Sequence, residues 1–369
     1  MRIAVVNAGT ATLKAGIAHV AAGEVEMLAR AEAARGDGEV APEIAALLAQ
    51  LGPPLASADA CAHRFVHGGV RRVAPALLDE ALERELAALS RLAPLHNPVA
   101  LACARAVRAL APERPQVAVF DTAFHADRAE ESFRYALPWE LCDSLEIRRF
   151  GFHGLAHASL LQALARAQGV PAREVDAVTL QLGAGCSACA IRAGRSLETS
   201  MGWTPLEGLP MATRCGDLDP AVVLALVRTG RSADEVERIL ARESGLLGLA
   251  GSADLRDVLR SAASGDSRAG VALALFARRI TATVGAYFTL LDGRGALVFG
   301  GGIGARSPEI RARGAAGLGA WGIALDPELN AAGKPGRISR PGSRGVFVFP
   351  TDEETELARA AGELLEGRG

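Results

Sequence analysis

The side chains that could do chemistry in this 369-residue chain gather in a few short strings. Six of its seven histidines lie between His63 and His157. They sit in His63-Arg64-Phe65-Val66-His67-Gly68-Gly69, Pro94-Leu95-His96-Asn97-Pro98, Asp121-Thr122-Ala123-Phe124-His125 and Gly151-Phe152-His153-Gly154-Leu155-Ala156-His157. The i,i+4 spacing of 63/67 and 153/157 would present two zinc ligands on a helix. Glycines and β-branched residues around the first pair oppose a helix, which ranks zinc low. A lone histidine defaults to a satisfied core position, but arginines accompany two of these strings and make anion binding competitive. Three glycine-rich turns follow apolar runs: Gly9 to Thr12, Gly183 to Ser187, and Gly300 to Gly304. Glycine lets backbone N–H groups approach phosphate oxygens, and nearby hydroxyls add donors. One such turn is better read as a tight hairpin. Three together, with Lys14 just beyond the first, favour a nucleotide or polyphosphate site. No Gly-x-x-x-x-Gly-Lys-Ser/Thr string occurs, which sets the P-loop class aside. Cys186 and Cys189 have zinc-like spacing without a second pair, on a strand-like run where residues three apart face opposite ways. They read as buried strand cysteines.

These groups need elements to hold them. The length suggests two domains. Half the residues are hydrophobic and the formal charge is −2, which suits a soluble enzyme and excludes the basic excess of a nucleic-acid binder. The first residues run into a glycine turn too early for a signal peptide's apolar region. The apolar stretch Val271 to Leu291 carries Arg278 and Arg279 near its middle and reads as a buried helix, not a membrane span. A cytoplasmic chain with reduced thiols is therefore expected.

One pattern occurs twice. Ile3 to Asn7 and Leu13 to Val20 flank the first glycine turn; Ala177 to Leu182 and Ala188 to Ile191 flank the second. Each reads as a hairpin opening one of two related domains. Leu78, Leu82, Leu86 and Leu89 share a helical face. Asn97-Pro98 looks like an N-cap with proline at the first helical position. Apolar strands end at Asp121 and at Gly300, Arg148 to Gly151 reads as a crossover, and a last helix from about Glu353 could return to the first domain. The expected architecture is α/β: two layered domains, 1–148 plus about 353–369, and 149–352, with a ligand cleft between them. Two hard oxygen ligands, Asp121 ending a strand and Glu353 opening a helix, would come from different domains and suit Mg2+. Thr351 to Glu354 has capping-box spacing, which makes Glu354 structural and Glu353 the metal-side residue.

The strings together resemble the acetate kinase family. The resemblance rests on Asn7-Ala8-Gly9-Thr10-Ala11-Thr12-Leu13-Lys14, His63 to Gly69, Ala93 to Pro98, Phe120 to His125, Arg148 to Gly154, Thr199 to Gly208, Thr213 to Pro220, Ser244 to Gly248 and Pro350 to Glu354, in colinear order. It implies two actin-like, ribonuclease H-like domains, the fold shared with sugar kinases and actin. It implies reversible phosphoryl transfer from ATP, with Mg2+ or Mn2+, to the carboxylate of acetate, and a homodimer formed through the second domain. By resemblance, Asn7, Arg64, His153 and Arg214 bind the acid and the transferring group, with Asp121 catalytic. Val66, Leu95, Phe152 and Pro205 would surround the acyl methyl. Asn7 and Glu353 would lie on the metal side. Thr12, Lys14, and Gln181-Leu182-Gly183-Ala184-Gly185 would face the phosphates, and Asp254-Leu255-Arg256 with Gly301-Gly302-Ile303-Gly304 the adenosine. A carboxylate is ionised at neutral pH and needs no general base. The demand is electrostatic, and permanently charged arginine forks meet it.

Departures cluster on the donor side. Gln181 and Ala184 stand where the family's string has histidine and asparagine, Gly300 replaces threonine, Ala305-Arg306 replaces Glu-Asn, and Asp352 replaces asparagine. Ala184 forfeits a phosphate hydrogen bond, on the order of 1.5–3 kcal/mol. Arg306 could bind a phosphate or crowd the adenosine. Propionate or butyrate as acid, pyrophosphate as donor, and a non-catalytic actin-like nucleotide binder are the competing expectations.

Overall fold

A computed structural model describes residues 1–9, 12–36, 39–52, 55–91 and 96–367. The chain forms two compact units, Met1–Ala126 with Phe152–Ser159 and Asp352–Gly369, and Asp127–Gly151 with Leu160–Thr351. The expected division is 1–148 with about 353–369, and 149–352. Residues 127–151 belong to the second unit, while the first turns of the helix Gly154–Gln168 belong to the first, where Leu155 packs with Ile3, Val5 and Ala62.

In the first unit β1 (Arg2–Ala8), β2 (Thr12–Ala21) and β3 (Glu24–Ala34) form an antiparallel meander. β4 (Ala60–Phe65) pairs with β1 in parallel. A short edge strand, β5 (Ala76–Leu77), runs antiparallel to β6 (Gln116–Phe120), and β6 runs parallel to β4. The order is β3-β2-β1-β4-β6-β5. β1 is an almost unbroken apolar run because both of its faces are covered. Ala4 and Val6 pack under the helices Val40–Ala49 and Asn97–Leu110, while Ile3 and Val5 pack against Leu357, Ala358 and Ala361 of the last helix, Glu353–Glu366. Charge alternates along β3, which suits a sheet edge.

The second unit repeats the plan. β7 (Ala177–Leu182), β8 (Cys186–Arg192) and β9 (Arg195–Thr199) form the meander, β10 (Ala296–Gly300) joins β7 in parallel, and β11 (Gly336–Arg337) edges β12 (Val346–Val348). The order β11-β12-β10-β7-β8-β9 matches the first sheet strand for strand, with the same parallel and antiparallel senses. Both expected hairpins are present, and Cys186 and Cys189 are buried on β8. The apolar stretch near 271–291 is the helix Ser267–Leu290, which by length and composition could cross a bilayer. Leu273, Phe276, Ile280, Val284 and Phe288 are buried, and Arg279 pairs with Asp217.

Three local expectations are corrected. Asn97 is the first residue of its helix, not the cap, and its amide instead clamps the backbone of His67: Oδ1 accepts from His67 N at 3.3 Å and Nδ2 donates to His67 O at 3.0 Å. The last helix is capped by Asp352, whose carboxylate accepts from Thr355 N at 3.1 Å, so the cap lies one residue beyond Thr351. Gly301 to Gly304 is no turn: the helix Gly301–Arg306 starts as β10 ends. Gly301 has φ +75°, and a Cβ there would lie 2.3 Å from Leu182 O.

Burial also sets an acid response. His63, wholly inside the first sheet, meets Gln116 Oε1 at 2.5 Å. Desolvation pulls its pKa from 6.5 to about 4 against that hydrogen bond. His157 is likewise pushed well down, by burial and then by His125 and His153. A histidine depressed on folding binds fewer protons in the native than in the unfolded state, so stability is lost as pH falls from 6.5 towards 4. His63 alone should account for roughly 3 kcal/mol across that window. Melting scans between about pH 7 and 4.5 should show the decline. His63→Met should flatten it, and an unchanged slope would remove His63 as its source.

Candidate active site

The parallel strands of the first sheet end in polar groups: Asn7 at the end of β1, Arg64 at the end of β4, and Asp121 directly after β6. Ligands of open α/β sheets meet these carboxyl ends. Arg64 holds Asp121 with a fork, Nη2 to Oδ2 at 2.6 Å and Nε to Oδ1 and Oδ2 at 3.2 and 3.1 Å. Its Nη1 donates to Asn7 Oδ1 at 3.1 Å and stands 3.7 Å from Glu353 Oε2. Asn7 Nδ2 donates to Glu353 Oε2 at 2.8 Å and Glu354 Oε1 at 2.7 Å. Burial alone would weaken the Arg64 cation, but Asp121 and Glu353 outweigh it and raise its pKa. Burial raises Asp121, with Arg64 and the Leu155 N–H opposing. Glu353 is held low despite burial, by Arg64, Asn7, His153 and Lys14.

Several site expectations can now be placed. Asp121 and Glu353 come together within the first unit, not from different domains, because the last helix belongs there. Asn7 commits its oxygen to Arg64 and its NH2 to the two glutamates, so it reaches the metal side through Glu353 and offers no oxygen of its own. Glu354 is structural, though as an anchor for Asn7 and not as a cap. Lys14 stands 4.0 Å from Glu354, and Thr12 O accepts from Gly9 N at 2.8 Å. Val66 and Phe152 are buried; Leu95 lies outside the described residues. His153 has φ +58°, a left-handed backbone that side chains with a Cβ adopt sparingly.

In the second unit, Arg214 is half-buried on a loop. Its Nη1 donates to Pro205 O at 3.0 Å and approaches Met211 Sδ at 3.6 Å. Among the described residues it has no carboxylate partner, and desolvation lowers its pKa. The loop is tied to the second glycine turn, since Ala212 N donates to Ala184 O at 3.1 Å. Within that turn Gly183 N donates to Gly185 O at 2.9 Å. Gln181 Oε1 is buried without a hydrogen-bond partner among the described residues. Asp254 caps the helix Leu255–Ala263 and is closed on Arg256 Nη2 at 2.5 Å. Arg256 holds Asp254 down at a pKa of about 2.

Other participants carry no local motif. Arg30 on β3 grips Asp352 at 2.5 Å and Glu354 at 3.3 Å, which supplies a cation to the aspartate at 352. Arg311 is fully buried and donates to Gly304 O, Ala305 O and Asn330, finishing the helix Gly301–Arg306. Tyr135 and Arg149 both hold Glu207, bracing the segment that carries Pro205.

Hard oxygens from Asp121 and Glu353 are the chemistry Mg2+ takes when phosphates and water fill its remaining positions. The duplicated α/β sheets gather these charged groups at the carboxyl ends of parallel strands, the architecture of a two-lobed α/β enzyme. The chain belongs to the acetokinase family, whose pattern it matches over residues 14–359. It is 48% identical to an acetate kinase of Leifsonia xyli subsp. xyli over 82% of this chain and 77% of that one. It is 43% identical to the acetate kinase of Pseudarthrobacter chlorophenolicus over 98% of both. Among solved structures, the Porphyromonas gingivalis acetate kinase superposes with TM-score 0.88 at 31% identity, covering 99% of each chain. A propionate kinase of Francisella tularensis gives 0.89 at 31%, covering 97% of this chain and 98% of that one.

Proposed function

We propose that this chain reversibly transfers the γ-phosphoryl group of ATP to the carboxylate of acetate, giving acetyl phosphate and ADP. The observation that carries the reading is Arg214: a half-buried guanidinium on the loop bonded to a glycine turn, with no partner among the described residues but a carbonyl and a thioether. A buried cation without a counterion calls for an anion. A carboxylate oxygen forms a bond to the γ-phosphorus as the bond to the ADP oxygen breaks, and no proton moves. Arg64, already set by Asp121 and Asn7, presents its fixed positive charge to the acid. His153 donates to an equatorial oxygen in the transition state. Val66, Phe152 and Pro205 limit the size of the acyl group. Gly183–Gly185 and Gly301–Gly304 receive the nucleotide. Mg2+ held by Asp121 and Glu353, with Asn7 orienting the latter, would neutralise phosphate charge. The chain acts in the cytoplasm as a homodimer.

The donor is the part of the reading to test, because Gln181 Oε1 is buried without a hydrogen-bond partner among the described residues and Ala184 has no side-chain donor. Purified protein with acetate should form acyl phosphate, trapped as hydroxamate, with Mg-ATP and not with pyrophosphate. Product from pyrophosphate alone would overturn ATP as donor while leaving the acceptor chemistry intact. Propionate should also react, since one methylene is worth only about 1–3 kcal/mol in such a pocket.

A further inference from the structure

His125 closes the Asp121-to-His125 string, yet nothing above gives it a task. It is fully buried on the short turn Ala123–His125. Its Nε2 lies 3.1 Å from the carbonyl oxygen of Phe152. A carbonyl only accepts, so Nε2 carries the hydrogen. The ring is fixed from both sides, packing edge-on to Phe124 at 5.3 Å and to His157 at 5.7 Å.

The bonded carbonyl belongs to the peptide that enters His153, the residue with φ +58°. Turning that peptide plane changes the orientation of Phe152 O and the φ of His153 together. While His125 holds the oxygen, His153 is confined to the left-handed region. If it is released, the peptide can rotate and let His153 relax to negative φ, which swings its ring elsewhere. The surroundings oppose other adjustments. A Cβ at Gly154 would fall 2.0 Å from Asp121 O, so the chain passes hard against the end of β6. His157 N donates to His153 O at 2.9 Å, and the His67 ring, whose backbone Asn97 clamps, packs on Phe152 at 5.5 Å. The Phe152–His153 peptide is thus held on its oxygen side by His125 while its neighbours are packed close.

We infer that His125 is a positioning residue, which sets the ring of His153 for phosphoryl transfer by holding the Phe152 carbonyl. The inference rests on the proposed role of His153. His125→Phe keeps the ring volume without the donor, and His125→Gln restores a donor near Nε2. His125→Phe should lower kcat by roughly ten- to a hundredfold, the scale expected from a misplaced catalytic group. KM for acetate and for ATP should stay within about twofold. His125→Gln should recover most of the loss. In a His153→Ala background, His125→Phe should cost almost nothing more, because the residue it positions is gone.

The same fractional loss in both backgrounds, or Gln performing no better than Phe, would overturn the inference. If His125→Phe does not fold, as melting would show, His125→Asn (too short to reach the carbonyl) takes its place against Gln. If the wild-type protein makes no acyl phosphate, the reading of function fails instead. The hold of His125 on the peptide is then decided by a crystal structure of the Phe or Asn variant: φ still positive at His153 sinks it, and a relaxed peptide supports it.

Discussion

Arg214→Ala should lower kcat for acyl phosphate formation on the order of a thousandfold, about 4 kcal/mol of transition-state stabilisation, with KM for ATP little changed. Charge accumulates on the transferring oxygens as an anion meets a polyanion, and a preset guanidinium answers it without reorganisation. The stability side of the same substitution should be small. Arg214 gives up one carbonyl bond and one sulfur contact, and its desolvated charge has no counterion to strand. Melting temperature should therefore hold while turnover collapses. Arg214→Lys should recover little, since an ammonium cannot reproduce the planar fork. A variant within tenfold of wild-type kcat would remove Arg214 from the chemistry.

Arg64→Ala should cost both turnover and stability. Its partner Asp121 is almost wholly buried and takes three of its hydrogen bonds, while Asn7 loses the donor to Oδ1. Stranding a buried carboxylate costs about 3–5 kcal/mol, a fall in melting temperature of about 4–6 °C for a chain of this size. The double variant Arg64→Ala with Asp121→Asn should regain most of that stability and remain inactive. Calorimetry of the single and double variants, read beside turnover, separates the roles. If Asp121→Asn does not restore stability, the buried charge was not the cause.

These two arginines also show what could be read from the sequence. Arg64 and Arg214 stand in strings unusual enough to name. The hairpins were legible because β1 and β7 are apolar runs cut by glycine, a signal that lies within a dozen residues. Patterns that rely on a side chain's partner misled. Asn97-Pro98 has the spelling of a cap, but its amide is engaged by the His67 backbone, thirty residues back in the chain. Thr351 and Glu354 have capping-box spacing, but Asp352 with Thr355 satisfies the same need one residue later. The glycines after β10 look like a turn, although a helix can begin there because Gly301 tolerates contact with Leu182. Arg30 and Arg311 were invisible for a related reason. Their partners, Asp352 and Glu354 in one case and two backbone carbonyls with Asn330 in the other, are brought to them only by the completed fold.

The repeated sheet lets the two halves be compared position by position. With one strand plan used twice, each strand end in the first half has a counterpart in the second. The parallel strands of one copy finish in Asn7, Arg64 and Asp121, while the corresponding strands of the other finish near Gln181, Gly300 and Phe349. One set is ionic, and the other offers an amide, a bare glycine backbone and an aromatic ring. Replacing a strand-end side chain by alanine should therefore be costly in the first half and mild at the matching place in the second.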